Sequence, residues 1–369
     1  MEKIHSLILI RGAKLSQKFR SRFLLTAIFV LFFQYTSCAA EANGTATITV
    51  FKLEKLYEIA VGAMPEIYID GLLDHSTLDK LEYATSDHNI SGGAMVFLNS
   101  PGGQLTAGID IGRFIRAHGW STYVGTRGEE YGKAQSGRCY SACVFAYIGG
   151  YYRFSSRGSL LGVHRFSKAK SERDDIDIAQ VISALLTNYI KEMGVDNGLF
   201  ERMVQAGSDE LIILSDDDTK RFGVINDGVL PAHWSFENMD QYIYLTGQQE
   251  TLYGIGKLIF VCHNHSLSAT AIYEAGENAT LILRSTNNYS LRIDDEFIPV
   301  KIDDRPQIVN KNFIYATFIL TQDQLQQIST AHKLGFAFRP GNPDLFYGFI
   351  IEVDGGHSKI ISMIKSCAM

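Results

Sequence analysis

Hydrophobic and polar positions follow two different patterns along the chain, and the change divides it in two. Between Pro65 and Asp227, short apolar runs that end at turn residues alternate with longer stretches whose apolar residues recur at three- and four-residue steps. The short runs, such as EIYID, STYVG and GSLLGV, predict strands, and the longer stretches, such as LTAGIDIGRFIRAHG and IDIAQVISALLTNYIKEM, predict helices. This order predicts a layered α/β domain over residues 60–230.

Beyond Leu252 the pattern predicts mostly strands. The strand-like segments, separated by Gly, Asn, Asp and Pro turns, are GKLIFVC, TAIYEA, TLILRS, YSLRID, FIYATFIL, LGFAFRP and FYGFIIEV. Only TQDQLQQISTAH and the tail SKIISMIKSCAM predict helices. We therefore expect a smaller, mostly-β accessory domain over residues 251–369, either a sandwich or a small barrel. The weak pattern around Pro231 and the isolated Trp234 predicts a linker over residues 231–250.

Residues 1–40 have the order of a secretory signal. Basic residues precede the apolar run FLLTAIFVLFF, and the small-residue stretch TSCAA follows it. A buried helix or a membrane anchor through residues 23–37 is the alternative, although the apolar run is short for a membrane span of about 20 residues. Lipidation of Cys38 is a minor alternative, because Tyr35 occupies a position where lipoprotein signals usually carry leucine. The sequence thus predicts an exported protein, periplasmic or secreted.

Removal of this segment would change the charge and the cysteine count. The segment holds six Lys or Arg residues and one Glu, so the net charge falls from −6 to −11 without it. Such an acidic body lacks the basic stripe that phosphate binding needs, which argues against nucleic acid and anionic lipid as partners. Four cysteines remain: Cys139, Cys143, Cys262 and Cys367. An even count in an exported chain permits two disulfides, and Cys262 with Cys367 is the preferred long-range pair.

Three segments carry candidate chemistry, and each also has an ordinary structural explanation. The glycines of NSPGG at 99–103 free backbone amides to point into a site, although Pro-Gly-Gly is also a common turn. Ser141 begins an apolar helix, where it would serve as a nucleophile beside oxyanion donors or as an N-cap. His164 ends an apolar strand, where α/β proteins place ligands, or it is a core histidine. Their order supplies an oxyanion donor, a nucleophile and a base.

The segments that hold these residues resemble one known family. NSPGGQLTAGIDI resembles the NSPGG-x-x-TAG segment of ClpP protease subunits, and GRCYSAC resembles the G-x-x-x-S segment that carries the family's nucleophile. RFSSRGSLLGVH is similar to the family's segment ending in the catalytic histidine, with the same twelve-residue count from Arg153 to His164. The similarity runs from Ile67 to about Val229 and includes LSDDDTKRFGVIND.

The resemblance implies the ClpP/crotonase fold, a right-handed spiral of β-β-α units, and serine peptidase chemistry without a cofactor. Ser141 would attack the substrate carbonyl and His164 would accept the proton, while the amides of Gly103 and Ala142 would hold the oxyanion. The acid that orients the histidine corresponds best to Asp209, if two extra residues precede Leu214. The rivals follow Ser215, which suits the cap of an acidic first turn: Asp216, Asp217 and Asp218.

The chain also departs from the family. The loop TRGEEYGKAQSGR before the nucleophile is longer, and Cys139 and Cys143 bracket Ser141. Four residues apart on a helix, the two sulfurs share a face, so they form either a disulfide that rigidifies the turn or two buried thiols. Features that close the ClpP chamber are missing from the sequence, and homo-oligomerisation stays open. Export removes the protein from a cytoplasmic unfoldase, leaving a protein or peptide substrate as the expected partner.

Two further functions and a metal site are alternatives to this hypothesis. The chain would otherwise be an inactive ClpP-fold envelope protein whose C-terminal domain binds a partner, or a crotonase-like acyl-CoA enzyme. Export away from coenzyme A argues against the latter. The segment CHNH at 262–265 superficially offers metal ligands. No second Cys/His pair accompanies it and neighbouring strand residues point to opposite faces, so no metal site is predicted.

Overall fold

The computed structural model describes residues 44–53, 63–128, 133–166, 175–207, 210–240, 242–341 and 345–368. The predicted signal segment lies outside them. The chain divides into two compact units, the first ending at Asp218 and the second holding residues 219–369 together with Tyr152–Phe154. None of the helices in the described part of the chain combines the length and apolar character that crossing a bilayer requires.

Strands and helices alternate through the first unit, giving the mixed α/β arrangement that the sequence predicts. The strands are β1 Thr47–Phe51, β2 Glu66–Asp70, β3 Met95–Asn99, β4 Ser121–Val124, β5 Thr126–Arg127, β6 Ala134–Gln135, β7 Arg138–Tyr140, β8 Arg153–Ser155, β9 Leu160–Val163 and β10 Ile212–Ile213. The helices are α1 His75–Asp87, α2 Leu105–Ala117, α3 Ala142–Ile148, α4 Asp175–Glu192, α5 Gly198–Gln205 and α6 Asp216–Arg221. The division between the units falls within β8 and α6.

The central sheet of this unit is built mainly from parallel strands. β2, β3 and β4 are parallel neighbours, and β1 adds to β2 in the antiparallel direction. Ile67, Val96 and Thr122 occupy one register row across the three parallel strands, and all three are fully buried. Burial of both faces explains why these strands are short continuous apolar runs rather than alternating patterns.

A smaller sheet places two strand ends beside each other. β7 and β9 are parallel, with Tyr140 paired to Gly162, and β10 adds to the other side of β9 in the antiparallel direction. Because parallel strands point the same way, the carboxyl ends of β7 and β9 meet at one edge. Ser141 follows β7 directly, and His164 follows β9 directly.

Glycines allow α2 and α3 to pack with their backbones nearly in contact. A Cβ on Gly108 would lie 2.1 Å from the Ala142 carbonyl oxygen, and one on Gly149 would lie 2.2 Å from the Gly112 carbonyl oxygen. Glycine inside a helix costs about 1 kcal/mol relative to alanine, so this close packing must offset a local penalty. The result fixes α3, the helix that begins after Ser141, against α2.

The second unit is mostly β. Its strands are β11 His233–Met239, β12 Tyr242–Thr251, β13 Gly254–His263, β14 Ser266–Glu274, β15 Thr286–Ile293, β16 Glu296–Pro299, β17 Gln307–Val309, β18 Phe313–Ile319, β19 Lys333–Pro340 and β20 Tyr347–Glu352. Its helices are α7 Ala279–Ser285, α8 Gln322–Ile328 and α9 His357–Ala368. One sheet has the order β11-β12-β13-β14-β18-β17 and the other β16-β15-β19-β20.

Aromatic and aliphatic side chains fill the core of the second unit. Phe260, Phe318, Phe336 and Phe338 are each at most 2% exposed and belong to one apolar cluster. Helix α9 also packs against this core, and its Cys367 forms a disulfide with Cys262 on β13. This bond joins residues 105 positions apart, so it ties the C-terminal helix to the sheet.

Two segments of the second unit differ from the sequence expectations. Two strands, β11 and β12, occupy most of residues 231–250, where a linker is expected. On β11 the alternation is obscured because Phe236 and Met239 are apolar and yet exposed. TLILRS, expected as a strand, belongs to α7. Ala279 and Ile282, three positions apart, are both buried there, and a short apolar run does not distinguish helical from strand spacing.

Candidate active site

Ser141 occupies a sharp turn between β7 and α3. Its backbone has φ 54° and ψ −122°, and the following residue already begins the helix. A positive φ is unfavourable for a residue with a Cβ, so the surroundings must hold this conformation in place. A strained strand-to-helix turn projects the side chain out of the sheet, which is the placement that a nucleophilic serine requires.

Two bonds hold the Ser141 turn. The Ser141 N–H donates to the Gly162 carbonyl on β9 at 2.9 Å. Cys139 and Cys143, one on each side of the serine, form a disulfide with Cα atoms 5.2 Å apart, and both residues are fully buried. Of the two alternatives open for these cysteines, the structure therefore contains the disulfide. It links the middle of β7 to the first turn of α3.

Gly102 makes the position of Ser141 sterically possible. A Cβ on Gly102 would lie 2.8 Å from the Ser141 Cβ and 2.8 Å from the Tyr140 carbonyl oxygen. Its φ of 112° also favours glycine. The same added Cβ would stand 3.5 Å from the Ala142 nitrogen, so the glycine loop and the start of α3 are neighbouring backbones. Gly103, the next residue in that loop, is exposed.

Backbone hydrogen bonds from Leu73 fix the loop that carries Gly103. The Leu73 N–H donates to the Gly102 carbonyl at 2.8 Å, and the Gln104 N–H donates to the Leu73 carbonyl at 2.9 Å. A Cβ on Gly103, whose φ is 140°, would lie 2.0 Å from the Leu73 oxygen. Only glycine therefore allows this approach of the two chains.

The start of the same loop is joined to β7. The Ser100 N–H donates to the Arg138 carbonyl at 2.7 Å, and the Tyr140 N–H donates to the Ser100 carbonyl at 3.1 Å. The Arg138 N–H in turn donates to the Asn99 side-chain oxygen at 3.0 Å. Hydrogen bonds thus connect the NSPGG loop to β7, which in turn pairs with β9.

His164 is half-buried at the end of β9. Its Nδ1 lies 2.8 Å from the Arg165 carbonyl oxygen. A carbonyl can only accept a hydrogen bond, so Nδ1 carries the proton and donates it. In the neutral ring, Nε2 is then the unprotonated nitrogen, which is the atom that a general base needs to present.

The structure describes the rivals of the expected acid but not the expected acid itself. Asp209 lies outside the described residues. Asp216 and Asp217 are exposed in the first turn of α6, whereas Asp218 is buried. Asp218 forms an ion pair with Arg202 at 3.4 Å, and its N–H donates to the Ser215 hydroxyl at 3.0 Å. Asp218 therefore connects α5 and α6, and Ser215 caps α6.

The N-terminal end of β10 lies beside the end of β9 that carries His164. β10 is antiparallel to β9 with Ile212 paired to Val163, so Leu211 lies beside the end of β9 that carries His164. In the other direction, the Leu214 N–H donates to the Leu161 carbonyl at 2.9 Å, so the chain runs away from His164 toward α6.

The CHNH segment contains one cysteine of a disulfide and part of a turn. Cys262 is in the disulfide with Cys367, and Asn264 and His265 have positive φ in the turn between β13 and β14. Within the described ranges, no group of three or more His, Cys, Asp or Glu side chains is arranged to hold a metal ion.

Sequence reasoning missed several residues that build the site. Gly102 and Gly103 are adjacent in the sequence, but only the structure separates their roles. Gly102 leaves room for Ser141, and Gly103 allows close contact with Leu73. Gly108 carried a usable signal, because a glycine within a helical pattern indicates close packing. The contributions of Leu73 and Arg165 are made by backbone groups, which side-chain patterns do not reveal.

Comparisons with known proteins found similarity only among solved structures. No protein-family model and no curated protein matches the chain. A serine-to-alanine mutant of the 1510-N membrane-bound stomatin-specific protease has 17% identity and a TM-score of 0.32, covering 43% of this chain and 75% of that one. ClpP1 from Listeria monocytogenes has 19% identity and a TM-score of 0.33, covering 44% and 88%. An asparagine-to-aspartate mutant of ClpP1 from the same organism has 18% identity and a TM-score of 0.33, covering 46% and 94%.

Proposed function

We propose that the first unit is a ClpP-like serine hydrolase, an endopeptidase in which Ser141 is the nucleophile and His164 the general base. One observation carries the proposal. Ser141 and His164 directly follow two adjacent parallel strands, and the Ser141 amide donates a hydrogen bond to the Gly162 carbonyl, two residues before the histidine. Neighbouring strands lie about 4.8 Å apart, so the two side chains extend from adjacent backbones.

Acylation uses the His164 tautomer that carries its proton on Nδ1, which the Arg165 carbonyl stabilises. The Ser141 Oγ attacks the carbonyl carbon of the substrate as its proton passes to His164 Nε2. The negative charge that forms on the substrate oxygen is held by the amides of Gly103 and Ala142. The Ala142 amide belongs to the first turn of α3, where N–H groups lack intrahelical acceptors. Gly102, next to Gly103, is the backbone neighbour of the Ala142 nitrogen.

Collapse of the tetrahedral intermediate completes the first half of the reaction. The C–N bond breaks, the proton on His164 Nε2 moves to the leaving amine, and an acyl ester remains on Ser141. Water then attacks this ester while His164 accepts its proton. The carboxylic acid product leaves, and His164 returns the proton to the Ser141 Oγ. Asp209 is the proposed acid that stabilises the imidazolium, supported by the direction of β10 toward His164.

Two disulfides support an oxidising environment for the mature protein. Disulfides persist in exported proteins and are rare in the cytosol, so the Cys139–Cys143 and Cys262–Cys367 bonds agree with a periplasmic or secreted enzyme. Such an enzyme works without a cytoplasmic unfoldase. Its proposed substrates are proteins or peptides that reach the site unassisted, whether the protein acts as a monomer or as a homo-oligomer.

A fluorophosphonate probe tests the proposal on the purified protein. The probe should label the wild type, and Ser141→Ala should abolish labelling. His164→Ala should slow it by about 100-fold or more, because the serine loses its base. Ser136→Ala, at an exposed serine of the same unit, is the matched control and should label normally. Absence of labelling in the wild type would instead favour the inactive envelope protein with a binding function.

Endopeptidase activity requires a second measurement. Denatured protein and a mixture of blocked peptides should be cleaved internally by the wild type and left intact by Ser141→Ala, with products identified by mass spectrometry. Labelling without cleavage of any peptide bond would support a serine hydrolase but contradict the endopeptidase assignment.

A further inference from the structure

An arginine and two phenylalanines form a cluster on the outer face of the four-stranded sheet in the second unit. Arg292 lies on β15, where it pairs with Phe297 on β16. Its neighbours Leu291 and Ile293 are buried in the core. Because strand side chains alternate between faces, the Arg292 side chain extends from the opposite face.

The cluster has a compact geometry. The Arg292 Cζ is 5.1 Å from the Phe297 ring centroid and 4.9 Å from the Phe346 ring centroid. The two rings are themselves 5.2 Å apart and meet edge to face, so the three groups form a nearly equilateral triangle. The Cζ of Arg339 is 5.0 Å from the Phe297 centroid. Two guanidinium groups thus share one aromatic ring.

Among the residues that the structure describes, no carboxylate forms an ion pair with Arg292. Its Nε is buried and has no hydrogen-bond acceptor in the described part of the chain. Burial lowers the pKa of the guanidinium, and the more distant charge of Asp295 only partly opposes this effect. A buried N–H without an acceptor is unfavourable, and because the buried Nε is out of reach, a ligand would have to bind the Nη groups. Contacts with the rings offset only part of that cost.

We propose that this cluster binds the C-terminal residue of a peptide, with the carboxylate on the Arg292 guanidinium and an apolar side chain on Phe346. Phe346 is 40% exposed, so it offers apolar surface directly beside the Arg292 guanidinium. An arginine fork binds a planar carboxylate through two parallel hydrogen bonds, a geometry that lysine cannot reproduce. The second guanidinium, at Arg339, lies over the ring of Phe297.

The test measures binding of a defined peptide to the full chain carrying Ser141→Ala, so that hydrolysis cannot interfere. Acetyl-Ala-Phe with a free carboxylate should bind in calorimetry, and its C-terminal amide should bind about ten-fold more weakly or not at all. Arg292→Met should weaken the acid by about ten-fold, and Arg292→Lys, which keeps the charge but loses the fork, should also weaken it. Arg284→Met, at an exposed arginine of the same unit, should bind like the parent protein.

Several results would overturn the assignment. Equal affinity for the acid and the amide, no binding of the acid, or unchanged binding by Arg292→Met would remove the carboxylate site. Equal binding of 3-phenylpropionate would remove the peptide as ligand and leave a site for free aromatic acids. If Arg292→Met fails to fold by circular dichroism, Arg292→Lys decides the outcome. Because the parent protein lacks Ser141, the result does not depend on the hydrolase proposal.

Discussion

The Ser141 amide donates a hydrogen bond of 2.9 Å to the carbonyl of Gly162, so the turn that bears the serine is tied to the strand that ends at His164. A displacement of β9 would therefore move both residues together. The opposite side of the turn is bounded by Gly102, where no side chain fits. The proposed nucleophile is thus positioned by backbone groups, and the following predictions separate that positioning from general stability.

Gly102→Ala should remove reactivity at Ser141. The new Cβ would lie 2.8 Å from the Ser141 Cβ, so the serine or the glycine loop must move. A displacement of about 1 Å at a catalytic group costs roughly 100-fold in rate, which fluorophosphonate labelling kinetics will measure. Gly119→Ala is the matched control, because Gly119 also has a positive φ but no atoms near its added Cβ.

Gly119→Ala should lower the unfolding temperature while labelling proceeds at the wild-type rate, since only backbone strain is introduced. If both alanine variants lose labelling to the same extent, loss of stability alone explains the effect. The steric role assigned to Gly102 would then be wrong.

Removal of one disulfide should mainly lower stability, and removal of the other should mainly lower the reactivity of Ser141. In the chain-entropy model, the Cys139–Cys143 bond closes a short loop and contributes about 2 kcal/mol, whereas the Cys262–Cys367 bond contributes about 5 kcal/mol. The double variant Cys262→Ala/Cys367→Ala should therefore unfold at lower denaturant concentration. The double variant Cys139→Ala/Cys143→Ala should instead show the larger loss of labelling, because its bond spans Ser141.

Both double variants are measured by denaturant unfolding and by labelling rate under native conditions. Full reactivity after removal of Cys139 and Cys143 would show that the Gly162 hydrogen bond and the packing of α3 suffice to hold the serine turn.

The elements around Ser141 and His164 were predictable because their signals are local. Strand ends, a glycine loop and a helix start follow from apolar runs bounded by turn residues. The close approach of Gly103 to Leu73 was not predictable, since it joins residues 30 positions apart through backbone atoms. The hydrogen bond from His164 to the Arg165 carbonyl was hidden for the same reason.

The second unit was harder to predict because its sheets expose apolar residues. Phe236 and Met239 on β11 are 44% and 65% exposed, which removes the polar alternation expected of a surface strand. In α7, Leu281 is 61% exposed and Ile282 is 2% exposed, although their neighbours give an unbroken apolar run. Tertiary packing therefore decides which apolar residues are buried in these segments, and hydrophobicity alone does not.

The candidate acids should respond differently to substitution by alanine. Asp209→Ala should lower the labelling rate by about 100-fold, because the imidazolium loses its stabilising charge. Asp216→Ala, at an exposed position in α6, should leave it within two-fold. Asp218→Ala should cost about 1–3 kcal/mol of stability, since Arg202 and the Ser215 cap lose their partner.

Thermal unfolding and labelling kinetics are compared for these three variants. A large kinetic loss in Asp216→Ala with none in Asp209→Ala would transfer the role of the acid to α6. Normal labelling in all three would leave the Arg165 carbonyl as the group that orients His164.

The N-cap of α1 gives a prediction for pH. Asp74 accepts hydrogen bonds from the Ser76 hydroxyl at 2.7 Å, the Ser76 N–H at 3.0 Å and the Thr77 hydroxyl at 3.1 Å. The Ser76 hydroxyl is the main reason that the pKa of Asp74 lies below its ordinary value of 3.8. Because the folded pKa is the lower one, this stabilisation is fully present above about pH 3.8 and is lost as the pH falls through the folded pKa.

Asp74→Ala should therefore lower the unfolding temperature at neutral pH, and its difference from the wild type should shrink as the pH falls below the ordinary aspartate range. Asp79→Ala, at an exposed carboxylate of the same helix, is the control and should show little difference at either pH. Leu73, the residue before the cap, holds Gly102 and Gln104 through its backbone. Loosening the cap should thus also slow labelling of Ser141 at neutral pH. A difference that stays constant down to pH 2 would show that the Asp74 charge does not stabilise α1.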